Sequence, residues 1–181
     1  MKRSIIAGTC GLLLCLVTLA SGRLDSSCRL TLRLVDSQTG QTLPGLIRIV
    51  DRDGKPVSVQ AAADGQGAVR ELLSRGLGLK DQPAIESWSV VTAEVALKVP
   101  RQPLIVEAFS GLETELARQP LDFSERDAAT MALPLKRFYD AAKLGYRSAN
   151  THLHLMKLTR EQADRYLIEV PKADRLDVLF V

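Results

Sequence analysis

The chain has 181 residues, 46% of them apolar and 25% charged, with a formal net charge of +3. That is globular composition, long enough for one good core and part of a second. Basic residues are scattered singly and only 4% of residues are aromatic, which leaves neither a nucleic-acid stripe nor a base-stacking platform.

Residues 1–22 read as a secretory signal. Lys2-Arg3 is a short positive start, Ile5 to Ala20 is apolar and leucine-rich, and Leu19-Ala20-Ser21-Gly22 supplies small residues suited to cleavage. The apolar run is shorter than the roughly 20 residues a spanning helix needs. Retention as an uncleaved membrane anchor is the alternative. Asp25 stands where a lipidated Cys28 would want leucine, so lipidation is not expected. Removal of the leader takes Cys10 and Cys15 with it and leaves Cys28 alone, so no internal disulfide is expected. Cys28 is then a small, half-buried residue near the start of the first strand. The expected location is extracytoplasmic, periplasmic or secreted.

Arg29 to Val35 alternates: Leu30, Leu32 and Leu34 share one face, with Arg29, Thr31 and Arg33 opposite, as a half-buried strand requires. Asp36 to Gly40 breaks it. Leu46 to Val50 is a second strand, and Asp53-Gly54 signals a hairpin leading to Val57-Ser58-Val59. Residues 61–82 carry Gly65, Gly67, Gly76 and Gly78 and read as a long surface insertion, with a short helix possible at Val69 to Leu73.

Strands resume at Val95 to Val99, Leu104 to Phe109, Leu112 to Ala117 and Ala129 to Leu135. Pro100 and Pro103 bracket a turn, since proline suits strand ends. Six to eight short strands over roughly 110 residues predict a mainly β fold, an antiparallel β-sandwich over residues 29–138. Val35 to Gly40, Leu43-Pro44-Gly45, Asp53-Gly54 and Val99 to Glu113 resemble the carboxypeptidase-regulatory or transthyretin-like sandwich modules. Trp88 and Phe109 read as packing residues, because nothing clusters with them to make an aromatic binding site.

After Arg137 the pattern changes. Phe138 to Lys143 is a connector. Gly145 to Leu155 holds both histidines of the chain inside a polar–apolar alternation. Thr159-Arg160-Glu161-Gln162 is a capping box, followed by Ala163, Tyr166, Leu167 and Val170 on one face of a helix that Pro171 ends. Leu176 to Val181 is dense in apolar residues, the signature of a strand buried on both sides. Residues 148–181 thus predict strand, helix, strand, with a parallel pair and a right-handed crossover. The fold class is a β-sandwich followed by a single βαβ unit of an incomplete α/β barrel, the second part being residues 139–181.

On a strand, Asn150, His152 and His154 share one face, and Thr151, Leu153 and Leu155 the other. Imidazole is the commonest metal ligand, and two at i, i+2 can converge on one ion. The alternative is two histidines on a solvent-facing strand.

Gly145-Tyr146 through His154 resembles the first metal motif of the PHP-type metal-dependent hydrolases, in the branch often called CehA/McbA. There a sandwich precedes a barrel that opens with a Gly-Trp-x-x-x-Asp-x-His-x-His pattern. The order of parts agrees, including an arginine, Arg137, shortly before the linker. Tyr146 stands where tryptophan is usual, and Asn150 where aspartate is usual, which removes a charge beside the site. The resemblance implies divalent metal (zinc, manganese or iron) activating water to hydrolyse phosphate esters or related bonds. It implies His152 and His154 as ligands and Asn150 as a partner orienting an imidazole. Further ligands in that family follow the second strand. Asp177 stands at the wrong end of its strand to serve, and Glu161, Asp164 and Asp174 read as helix-surface and turn residues.

The expectation is the N-terminal part of an exported metallohydrolase, not competent by itself and with no tightly bound metal. A missing barrel or another chain would cover residues 176–181. No catalytic residue is assigned, and the substrate is unknown. The competing expectation is an exported, non-enzymatic β-sandwich that binds partners or serves structurally.

Overall fold

The computed structural model describes residues 26–78, 83–153, 155 and 157–180. The leader expected at residues 1–22, together with His154 and Val181, lies outside the described residues. The chain forms β1 (Ser27–Asp36), β2 (Gly45–Val50), β3 (Gln60–Ala61), β4 (Leu73–Ser74), α1 (Pro83–Glu86), β5 (Ser89–Val91), β6 (Val95–Pro100), β7 (Pro103–Phe109), β8 (Ala117–Asp122) and β9 (Ala128–Leu135). A 3₁₀ turn (Ala141–Leu144), β10 (Ala149–Asn150), α2 (Arg160–Ala173) and β11 (Val178–Leu179) follow. Among the described residues no helix is long and apolar enough to cross a membrane.

The protein is mainly β. A four-stranded sheet has the order β3-β6-β1-β9, and a five-stranded sheet the order β4-β5-β2-β7-β8. Strand β1 alternates as its leucines dictate: Leu30, Leu32 and Leu34 are fully buried, while Arg29 and Arg33 are exposed. Cys28 lies on the leucine face and is fully buried, deeper than the half-burial its position suggests. From the five-stranded sheet, Ile47, Ile49, Leu104, Val106 and Ala108 meet these residues and Leu97, Val99, Leu133 and Leu135 in one core. Each such side chain contributes roughly 1.5–3 kcal/mol by leaving water.

Several expectations need correction. The sheets are not wholly antiparallel: β1 and β9 run parallel from Arg29↔Ala128 to Asp36↔Leu135. Strand β9 arrives from β8 in the other sheet, so no hairpin dictates its direction. Phe123, buried at that crossing, and the Arg101–Asp127 ion pair hold the entry. Val57 and Val59 are not in a strand. The Asp53-Gly54 turn forms as expected, with Gly54 at φ 79° and the Asp51 carboxylate accepting from the N–H groups of Asp53 and Lys55. Beyond it Pro56 bridges Val50 and Val57 N donates to Ile49 O at 3.0 Å, but no second strand develops; the chain then crosses between sheets, and a ladder forms again at β3, on β6.

No helix forms at Val69 to Leu73. Val69 bridges Ala63, closing a loop around Asp64, and Leu73 begins β4. The strand expected at Leu112 to Ala117 forms later, at β8, and includes Pro120. It lies at the sheet edge, where a missing N–H costs no ladder bond.

Helix α2 lies against the outer face of the five-stranded sheet. Tyr166, Val170 and Ala173 bury against Leu46, Leu73 and Val90, with Trp88, Phe109, Leu153, Leu155 and Leu158 packed around them. The Trp88 and Phe109 rings meet edge to face at 4.9 Å, and Arg48 stacks on the indole at 4.6 Å while pairing with the buried Glu107 at 2.6 Å. Pro171 does not end the helix. It sits in the last turn: the bond its N–H would give to Leu167 O is forgone, but only Lys172 and Ala173 follow it in the helix, which runs on to Ala173. Ala173 O accepts from Gly111 N at 3.0 Å, which fixes that end.

Strands β10 and β11 pair in parallel, Ala149↔Val178 and Asn150↔Leu179, with α2 between them in sequence. The final strand is not buried on both sides: Val178 is 41% exposed and Phe180 57%. Its only strand partner among the described residues is β10.

Candidate functional site

The histidine segment is anchored at its beginning by Ser148. Ser148 N donates to Asp177 Oδ2 at 2.9 Å, Asp177 N donates to Ser148 O at 2.9 Å, and the Ser148 hydroxyl donates to Arg175 O. The Ser148 N–H holds the Asp177 carboxyl below its ordinary range, and the Ser148 hydroxyl and Arg147 add to this. Asp177 is therefore a latch at the amino-terminal end of the strand pair, away from His152.

Strand β10 ends at Asn150. The physical reason is local: Asn150 Oδ1 accepts from His152 N at 3.0 Å, so the side chain takes a backbone donor that a longer ladder would use. Phe180 N still donates to Asn150 O at 3.0 Å, the last rung of the pair. His152 follows, exposed, on irregular chain just past the carboxyl end of β10. The continuous strand expected through Leu155 is thus absent. Thr151 is exposed rather than packed with Leu153 and Leu155, which are half-buried against the helix and sheet. Leu158 N closes a turn on Leu155 O at 3.0 Å, and the chain enters α2.

The capping box forms as read. Thr159 Oγ1 accepts from Gln162 N at 3.3 Å, and Gln162 Oε1 accepts from Thr159 N at 3.0 Å. Of the face that the spacing predicts, Tyr166 and Val170 are buried while Ala163 and Leu167 are half-buried; the buried stripe is completed by Glu169 and Ala173. Among the remaining acids, Asp174 pairs with Arg75 at 2.9 Å and Asp164 lies 3.9 Å from Arg160, so both are engaged in ion pairs.

Of the sequence-predicted ligands, the described residues place His152 alone. Among them no three of His, Cys, Asp and Glu converge on a point that could hold an ion. The donor type fits a divalent transition metal, since an exposed imidazole beyond a parallel strand end can turn toward an ion. Asn150 Oδ1 is engaged with the chain, so its part is to shape the turn that presents His152. Arg137, the arginine before the connector, pairs with Asp140 at 2.8 Å; its Nε is buried without a partner among the described residues.

A polar network lies on the helix face that sequence reading treated only as packing. Glu169 Oε1 receives Arg70 Nη2 at 2.6 Å and Arg165 Nε at 3.0 Å. Burial pushes Glu169 up, but these two guanidinium groups outweigh it and hold the carboxyl below its ordinary range. Glu169 is thereby kept ionised and occupied, unsuited to act as a general base. It lines a cleft of about 180 Å³ between α2, the β5–β6 turn and the loop from Ala62 to Leu72. Tyr166, bonded separately to Arg75, has its phenol pushed up by burial. Nothing in the periodicity of Arg70 or Arg75 marks them, because their partners lie some 90 residues away.

The fold and these contacts define a mainly β protein with a small strand–helix–strand unit fixed to its outer face. Comparison with known proteins finds no matching family model, no matching curated protein and no matching solved structure.

Proposed function

We propose that the chain is the N-terminal part of an exported metal-dependent hydrolase of the PHP type. In this reading residues 29–138 are a β-sandwich module, and residues 139–181 open an α/β barrel. The observation that carries it is the parallel β10–β11 pair joined through α2, with His152 just past the carboxyl end of β10. Parallel α/β folds place their chemistry at that end of the strands. His152 and His154 are the ligands in this reading, and Asn150 sets the turn that presents them.

A bound zinc, manganese or iron ion would lower the pKa of a coordinated water and polarise a phosphate ester or related bond. A catalytic zinc takes about three protein ligands, one more than these imidazoles. Turnover by this chain alone is therefore not expected. Two imidazoles by themselves hold such an ion only weakly, so the test is an equilibrium titration of the purified protein with zinc, read by the NMR shifts of the histidine ring protons. Weak, saturable binding that disappears in the His152→Ala/His154→Ala variant supports the reading. No saturable binding, or binding indifferent to both substitutions, sinks it. Turnover of a phosphate monoester by the wild type but not by His152→Ala would overturn the expectation of incompetence.

A second reading, a non-enzymatic exported binding module, draws on exposed apolar side chains around the connector. Leu112 is 91% exposed, Phe138 62% and Tyr146 64%. Exposed apolar groups of this size mark interaction surfaces when they gather. It predicts partner binding that survives loss of both histidines.

A further inference from the structure

We propose that residues 70–78 form a strap that fixes the C-terminal unit to the sandwich, with Arg75 as the residue that positions α2 and, through it, the histidine segment.

The segment belongs to the glycine-containing insertion, yet it is tied at both ends and in the middle. On the sheet side, Arg75 N donates to Trp88 O at 2.7 Å and Ser74 Oγ donates to Glu86 O at 2.9 Å. Gly76 lies so close to α1 that a Cβ there would stand 2.8 Å from Glu86 N. Leu73 is buried in the cluster that receives α2.

On the helix side, the contacts follow α2 along its length. Arg70 reaches Glu169, and Glu71 O accepts from Arg165 Nη2 at 2.5 Å. Arg75 does the most. Its Nη1 donates to the Tyr166 hydroxyl at 2.5 Å, its Nη2 stands 2.9 Å from Asp174 Oδ2, and its carbonyl accepts from the same hydroxyl at 3.4 Å. Arg165 and Asp174 lie nine residues apart, about 13 Å of helix, so the grip is on the whole element and not on one turn. At the far end, Gly78 takes φ 81° and its α-carbon approaches Leu158, where a Cβ would meet Cδ2 at 2.8 Å. Leu158 closes the turn between the histidine segment and the Thr159 cap.

The geometry therefore runs from sheet to strap to helix to the segment bearing His152. A tolerated surface loop would leave its cations to solvent. This one directs Arg70 and Arg75 onto a buried Glu169 and a half-buried Asp174. Charge pairs at partly desolvated positions, with an additional phenol donor and acceptor, hold orientation more firmly than exposed pairs do.

The test is hydrogen–deuterium exchange of the full chain, comparing wild type with Arg75→Met and Arg75→Lys. Arg75→Met keeps the aliphatic stem and removes the guanidinium. Amides of α2 should exchange at least about tenfold faster, while those of β1 and β6 stay within about twofold of wild type. Arg75→Lys should fall between, since it retains a cation for Asp174 but not the forked geometry. Unchanged α2 exchange, or equal loss of protection in α2 and β1, would overturn the strap. Should Arg75→Met fail to fold, Gly78→Ala perturbs the same strap at Leu158; faster exchange in α2 but not β1 supports the proposal, and no change overturns it.

The positioning arm rests on the metal reading above and uses zinc alone as probe, titrated against a chromophoric chelator. Weaker zinc binding by Arg75→Met, several-fold, supports positioning, whereas equal affinity with a loosened helix refutes it. A wild type that takes up no zinc refutes the metal reading, and the exchange data still decide the strap.

Discussion

Gly111→Ala offers a quantitative check on how α2 is seated. Gly111 has φ 62°, a conformation that costs an alanine roughly 1–2 kcal/mol. A Cβ there would also stand 2.8 Å from Arg175 Cβ and 2.9 Å from Asp174 O. The backbone oxygen cannot swing away, so the helix end must retreat by at least about 0.5 Å to restore ordinary contact. That retreat stretches the bond from Gly111 N to Ala173 O, worth about 0.5–1.5 kcal/mol net. The expected total is about 2–3 kcal/mol.

Gly40→Ala is the control. Gly40 has φ 70°, but an alanine methyl there would meet nothing within 4 Å, so only the conformational cost applies. Urea titration followed by Trp88 fluorescence reads both variants, because Trp88 is the chain's one tryptophan and packs beside α2. Gly111→Ala should exceed Gly40→Ala by about 1 kcal/mol. Equal losses for the two variants would refute the tight seating of the helix end.

Other outcomes follow from the same contacts. Glu169 titrates below its ordinary value in the folded state, so the stability it contributes is fully present above about pH 4.3 and is lost as pH falls through the folded value. Acidification from about pH 5 to about pH 3 should loosen α2 by Trp88 fluorescence, and Glu169→Gln should flatten part of that transition; an unchanged curve would count against the Arg70–Glu169–Arg165 network. Thr159→Ala should cost about 1 kcal/mol in thermal or urea unfolding through loss of the cap. Burial raises the Cys28 thiol, so labelling located by mass spectrometry should spare Cys28 in the native protein and reach it only on unfolding. Modification of native Cys28 would mean that the edge of the core opens without unfolding.

What could be read from the sequence was what local chemistry controls. The leucine alternation of β1, the proline-bracketed turn between Pro100 and Pro103, and the Thr159–Gln162 cap are each fixed by residues within a few positions of one another. Contacts over long separations were not legible. The parallel pairing of β1 with β9 depends on a crossing between sheets, and the partners of Arg70 and Arg75 depend on where α2 settles. The place of Pro120 within β8 was not legible either, because a proline suits a strand only at a sheet edge, and which strand lies at the edge is set by the assembled sheet. Pro171 misled for a related reason: its cost depends on how much helix follows it. At the candidate site, alternation correctly put Leu153 and Leu155 inward. It also suggested a longer strand than forms, because Asn150 diverts the His152 N–H to its own side chain.

The parallel run of β1 and β9 gives the molecule a polarity. Strand β1 begins at Ser27 at one end of the sheet, while the connector departs where β9 and β1 both finish, at Asp36↔Leu135. Ten residues of strand separate those exits, about 33 Å at the usual rise. If the amino terminus is tethered to a surface, the sheet therefore acts as a spacer. The connector then leaves from the end remote from the tether, and the strand adds its own length to the stand-off.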